Sequence, residues 1–171
     1  MKLISETYRA LNRELHESDM VFGDAGHRWK DKAEQLIEGA NAQSILDYGC
    51  GKSTLIGLLD SNVLIQEYDP CIPEKEISPA PTEVVLCTDV LEHVEEKCIK
   101  NVLDHLQMLS RKAIFIVIAL RESNKVLPDG RNAHILIKPR IWWLGQLKSR
   151  FPNGRELRQG NKNKIHFLWY K

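Results

Sequence analysis

Three aspartates stand at the ends of three short apolar runs, and their spacing is the first chemical signal in this chain. Ser44-Ile45-Leu46 runs into Asp47, Val63–Tyr68 runs into Asp69-Pro70, and Val84-Val85-Leu86-Cys87 runs into Thr88-Asp89. Each run has the length of a strand, and the first reads as buried. Carboxylates at successive strand ends suit a ligand with hydroxyls or positive charge. The first is followed by Gly49-Cys50-Gly51-Lys52-Ser53-Thr54, which poses a choice. Its tail, GKST, matches the end of a phosphate-binding loop. That loop needs a glycine five positions before Gly51, where Leu46 stands instead. Asp47 would also set a carboxylate beside a polyanion. A G-x-G turn between a strand and a helix, holding a nucleoside without its phosphate chain, fits better. Gly49 and Gly51 permit the positive φ and the close backbone approach that such a turn uses.

The elements that must position these residues follow from periodicity. Residues 5–17 and 27–39 read as helices, with Tyr8, Leu11 and Leu15 on one face of the first. Trp29, Ala33, Leu36 and Ile37 form the apolar stripe of the second. Residues 54–59 are expected to open a helix, with Ser53 as its N-cap. Strands are expected at 44–48, 63–68, 83–87 and 113–119, and helices at 95–110 and 139–150. Two final strands, 156–158 and 165–170, are joined by Gln159-Gly160-Asn161-Lys162-Asn163. Residues 71–82 hold Pro73, Pro79 and Pro81, which leaves no room for much helix or for a central strand. Alternating strands and helices predict an α/β chain with a mostly parallel sheet, helices on both faces and a C-terminal antiparallel hairpin. Ligands of such sheets sit at the carboxyl ends of the strands.

Composition excludes several classes. The chain has 171 residues, with 24 Lys+Arg against 23 Asp+Glu, so no overall basic field argues for nucleic acid. No apolar run reaches the about 18 residues of a membrane span. The polar N-terminus does not resemble a signal peptide. Cys50, Cys71, Cys87 and Cys98 show no metal-ligand or disulfide spacing, so reduced thiols, a cytoplasmic location and no metal are expected.

The motifs ILDYGCG at 45–51, the acid at Asp69 and VVLCTDVLEHV at 84–94 resemble the class I methyltransferases that use S-adenosylmethionine. The resemblance covers residues 44–120 by motif, and the whole chain by element order. The upstream stretch YRALNRELHESDMVFGDAGHRW is similar to small stand-alone methyltransferases of phages and prophages. The family implies a Rossmann-like core at 43–171 under an N-terminal helical cap or lid at 1–42, in one domain. It implies S-adenosylmethionine as cofactor, with Gly49 and Gly51 against its methionine half and Asp47 holding its ammonium. Asp69 would take the ribose hydroxyls, and Cys87, Thr88, Asp89 and Val90 would line the floor. Gly23, Gly26, His27 and Trp29 read as lid residues closing over the cofactor, with a place in the core as the alternative for Trp29. The usual third glycine is Ser53 here. The third family strand, with its adenine-contacting acid, is expected to be missing or reduced, because 71–82 cannot hold it.

Candidate bases are Asp89, Glu92, His93 and His134, the last in the long 120–137 loop that covers the acceptor in such proteins. His105 and His166 read as structural. The expected acceptor is a small molecule or nucleotide. Nucleic acid is second, through the late basic cluster Lys138, Arg140, Lys148, Arg150, Arg155, Arg158, Lys162 and Lys164. Two other functions compete: a non-catalytic cofactor-binding module acting with a partner, and a P-loop nucleotide hydrolase. The oligomeric state is not legible.

Overall fold

The computed structural model describes residues 1–52, 55, 57–59, 62–157 and 162–171. The chain opens with helix α1 (Glu6–Ser18), whose N-cap Ser5 accepts the Tyr8 N–H through its Oγ at 3.3 Å. That cap satisfies one of the free amides of the first turn. Tyr8, Asn12 and Leu15 are the buried face of α1. A 3-10 turn at Gly26–Trp29 leads into α2 (Lys30–Gly39), which buries Ala33 and Leu36.

The sheet contains β1 (Ser44–Tyr48), β2 (Leu64–Tyr68), β3 (Thr82–Thr88), β4 (Ser110–Ala119), β5 (Arg155–Glu156) and β6 (Lys164–Tyr170), in the order β2-β1-β3-β4-β6-β5. The first four strands pair in parallel; β6 runs antiparallel to β4 and β5. Helix α3 (Ile99–Leu109) and helix α4 (Arg140–Arg150) complete the set.

Side-chain alternation sorts the strands between two cores. Leu46, Val85, Ile114, Ile116 and Phe167 pack with Leu103 and Leu106 of α3 and Trp143 and Leu147 of α4. Ile45, Val84, Leu86, Phe115 and Leu168 pack on the opposite face with Ala33 and Leu36 of α2. Helices thus cover both faces, which is why β4 is apolar almost throughout. Tyr8 and Leu15 of α1 pack with Leu127 and Ala133 of the 120–137 loop, above the strand ends.

Between Tyr68 and Thr82 the only helical feature is a 3-10 turn at Pro73–Lys75, and no strand forms. The third family strand is absent, and β2 is the sheet edge. The Gln66 carboxamide takes the place of a neighbouring strand. It donates to the Ala80 carbonyl at 3.3 Å and accepts the Ala80 N–H at 3.0 Å.

The helix expected at 54–59 is not seen in its described residues. Leu55 and 57–59 form turns, with Leu55 and Leu59 buried. Gly57, at φ +84°, ends any helical run there. The proposed N-cap Ser53 and the turn residues 159–161 lie outside the described residues, as does Arg158. The helix expected at 95–110 opens as a 3-10 turn at Glu96–Cys98 before α3 begins.

Candidate active site

A cavity of about 420 Å³ lies at the carboxyl ends of β1 to β4, walled by α1 and by the 19–26 and 120–137 loops. Its lining includes Asp47, Gly49, Gly51, Asp69, Thr88, Asp89, Val90 and His134.

Asp47 is 2 % exposed, and its Oδ2 is buried with no hydrogen-bond partner. Burial, reinforced by the nearby Glu67 carboxylate, pushes Asp47 up to about 7 against the partial relief of Lys75. A carboxylate left this way favours a cationic ligand, which would restore its ionised form. Asp69 ends β2 and is also buried. Its Oδ1 accepts the Cys71 N–H at 2.8 Å and its Oδ2 the Gly51 N–H at 3.1 Å. Each oxygen keeps a second lone pair, so the carboxylate is oriented by its own backbone and can still accept from a diol.

Gly49 and Gly51 both take positive φ, +73° and +59°. The reason for glycine differs from the expected one. A Cβ on Gly49 would lie 2.5 Å from Val90 Cγ2, and one on Gly51 would lie 2.5 Å from the Gly23 carbonyl oxygen. Protein, rather than ligand, fills that space. The 19–26 loop closes on the glycine turn: the Gly23 carbonyl accepts the Lys52 N–H at 2.9 Å, and Lys52 Nζ donates to the Asp19 carbonyl at 2.6 Å. The GKST lysine therefore anchors the 19–26 loop. Gly23 and Gly26 line the cavity, whereas His27 is exposed.

At the other end of the cavity, Asp89 sits at φ +56°, a costly conformation for a side chain with a Cβ. Both its oxygens accept from Lys164 Nζ of β6, at 2.7 and 2.8 Å. His134 Nδ1 lies 2.6 Å from the Arg121 carbonyl, so this nitrogen carries the proton of the neutral ring and Nε2 keeps its lone pair. Burial lowers the His134 pKa. His93 stands edge-on to His134 at 4.7 Å between centroids, and burial holds it neutral, down to about 3.

Three expected site residues lie elsewhere. Glu92 is fully buried and accepts the Ala119 N–H at 2.7 Å, fastening the 91–93 turn to the end of β4. Burial pushes it up to about 8, and it is not part of the cavity wall. Cys87 is fully buried in the core shared with α3, because strand alternation turns it away from the ligand end. Trp29 packs against Phe115 and His166 on the α2 face and does not line the cavity. His105 bonds the Tyr48 hydroxyl at 3.1 Å, and His166 stacks near Phe115. The cavity also takes in Tyr8, Asn12 and His16 from α1; of these, sequence periodicity placed only Tyr8 on a helix face, and Asn12 was not singled out.

Four of the eight residues of the late basic cluster are paired internally. Lys138 pairs with Glu96, Arg140 with Glu156, Arg150 with Asp104 and Lys164 with Asp89. A field meant for a phosphate backbone would leave such charges free.

No protein-family model matches the chain, and no curated protein matches it. Solved structures do. The methyltransferase domain of bacterial CtHen1 aligns with a TM-score of 0.61 at 15% identity, covering 83% of this chain and 97% of that one. The 1,6-didemethyltoxoflavin-N1-methyltransferase of Burkholderia thailandensis, crystallised with its acceptor and S-adenosylhomocysteine, aligns with a TM-score of 0.62 at 15% identity. It covers 98% of this chain and 90% of that one. Magnesium protoporphyrin IX methyltransferase from Synechocystis PCC 6803, with bound S-adenosylhomocysteine, aligns with a TM-score of 0.62 at 13% identity over 94% of this chain and 98% of that one. The chain therefore has the Rossmann-like fold found in methyltransferases. At these identities the likeness is one of fold, and function must be argued from the cavity.

Proposed function

We propose that the protein is an S-adenosylmethionine-dependent methyltransferase acting on a small-molecule or nucleotide acceptor. The observation that carries this reading is the orphaned, buried Asp47 carboxylate beside the glycine turn, with a second oriented carboxylate, Asp69, one strand away. When bound, S-adenosylmethionine supplies an electrophilic methyl group on a sulfonium. Asp47 then holds the ammonium, and Asp69 accepts from the ribose hydroxyls. The 19–26 loop keeps water from the site. Thr88, Asp89 and Val90 form the floor, with the Asp89–Lys164 pair fixing the turn after β3. His134 serves as the base for an acceptor hydroxyl or N–H, through the Nε2 lone pair left by its bond to Arg121. The single-domain reading, with residues 1–42 as cap, is supported by α1 packing on the 120–137 loop. The cytoplasmic location is supported by the four free cysteines, and the phage-type origin by the sequence resemblance of the N-terminal stretch.

A non-catalytic cofactor-binding module is favoured by one observation, the absent third strand and the adenine contact it would bring. A P-loop hydrolase is disfavoured by the three acids of the cavity and by Lys52, whose Nζ is spent on the Asp19 carbonyl. Titration with S-adenosylhomocysteine and with ATP separates these readings: the methyltransferase and the module bind the first and not the second. Methyl transfer to a panel of phenols, heterocycles and nucleotides then separates enzyme from module, since the module shows none.

A further inference from the structure

Resting on the cofactor reading above, the cavity continues past Asp69 in a direction that this reading leaves unexplained. Its lining includes Pro70 and Cys71 after Asp69, Tyr8 and Asn12 of α1, and the apolar side chains of Ile4, Val94 and Val102. Helix α1 is held in this place by the segment that replaces the third strand. Arg9 and Arg13 both reach Glu76, at 3.4 and 3.1 Å, and Arg13 Nε donates to the Cys71 carbonyl at 3.4 Å.

Tyr8 and Asn12 are 3 % and 6 % exposed. The Tyr8 hydroxyl is buried without a partner. Asn12 Nδ2 donates to the Tyr8 carbonyl at 2.9 Å. A carbonyl only accepts, so that bond fixes which end of the carboxamide is which. Asn12 Oδ1 remains available as an acceptor. Asparagine is a poor residue for a helix interior, and buried polar groups without partners are rare. The unpartnered Tyr8 hydroxyl, with the Asn12 carboxamide one turn away on the same cavity wall, marks a site for a planar group with a matching polar edge.

We propose that Tyr8 and Asn12 form the base-recognition wall of this cavity, reading the N1/N6 edge of an adenine ring from the N-terminal helix in place of the missing strand. Asn12 Oδ1 accepts from the N6 amine, and the Tyr8 hydroxyl donates to N1. The apolar floor takes the ring face. The two residues differ in stringency. A hydroxyl rotates and can donate or accept, whereas the Asn12 carboxamide is held in one orientation. Asn12 therefore carries discrimination between bases, and Tyr8 carries affinity.

The test compares S-adenosylhomocysteine with S-inosylhomocysteine, in which N6 becomes a carbonyl oxygen and N1 gains a proton. Calorimetric titration of the wild type is expected to favour the adenine compound by about tenfold or more, the worth of a mispaired buried polar group. In Asn12→Ala, a change that raises helix propensity, that preference should collapse to about onefold to twofold. Tyr8→Phe should weaken both compounds while raising the melting temperature of the ligand-free protein, because it deletes an unpaired buried hydroxyl. Binding of S-adenosylhomocysteine with no base preference, or with a preference unchanged in Asn12→Ala, overturns the proposal and leaves the cofactor reading intact. Failure of the wild type to bind S-adenosylhomocysteine at all overturns the cofactor reading itself.

Discussion

Asp47 carries most of the chemical meaning of the cavity, and its energetics make that meaning measurable. Its folded pKa is raised by burial to about 7, far above the ordinary aspartate value of about 3.9. Between those two values the folded state binds more protons than the unfolded state, so stability falls as pH rises through that window and is flat above it. Asp47→Asn removes this cost. Urea unfolding should show the variant gaining more over the wild type at pH 8 than at pH 5, while losing affinity for S-adenosylmethionine. His134 supplies the second residue-scale expectation. His134→Ala should lower turnover by roughly 10²–10⁴-fold with cofactor affinity little changed. Because burial lowers its pKa, the rising limb of the wild-type pH–rate profile should lie below the ordinary histidine value of about 6.5, and it should vanish in the variant. Asp47 and Asp69 were legible in sequence because a strand end followed by a glycine turn fixes where a side chain goes. Glu92 was not. Its place after β3 made it a candidate base, but the 91–93 turn points it inward to the Ala119 amide.

At the scale of elements, sequence and structure agree where strong periodicity or proline decides. The missing third strand was legible because Pro73, Pro79 and Pro81 leave no run of donors for a ladder. The turn that the described residues 55 and 57–59 make after the glycines was not, since Leu55, Leu58 and Leu59 have helical spacing. The 19–26 loop was legible through its two glycines and its expected lid role, but not through the contacts that hold it. What organises it is Asp19, whose Oδ1 accepts the Val21 and Phe22 amides at 3.0 and 3.2 Å while Oδ2 pairs with Lys125. Asp19→Ala should therefore speed hydrogen exchange at Val21 and Phe22 and raise the dissociation rate of S-adenosylhomocysteine, leaving the sheet amides protected. The glycine turn answers to the same loop. Gly49→Ala forces a Cβ against Val90 at a positive φ, which costs about 1 kcal/mol or more even before the clash is relieved. Loss of binding in that variant should come with lowered stability, and Val90→Ala should restore only part of it.

Across the whole molecule, two cores on opposite faces of one sheet hold the strand ends in register, and the cavity inherits its geometry from them. Trp143 is the largest of the fully buried side chains and joins α4 to the α3 face. Trp143→Ala should cost about 3–5 kcal/mol of stability in chemical denaturation. With the sheet rigid, ligand binding becomes a matter of charge. A cationic ligand beside Asp47 must lower its pKa, so binding should expel a proton wherever the free group is partly protonated. The decisive measurement is isothermal titration of S-adenosylmethionine at pH 6 and pH 8, each in two buffers of different ionisation enthalpy. One-to-one binding is expected, tighter at pH 8, with proton release at pH 6 that disappears in Asp47→Asn. No binding at either pH, or binding whose affinity and proton balance ignore Asp47, would contradict the assignment of this cavity to S-adenosylmethionine.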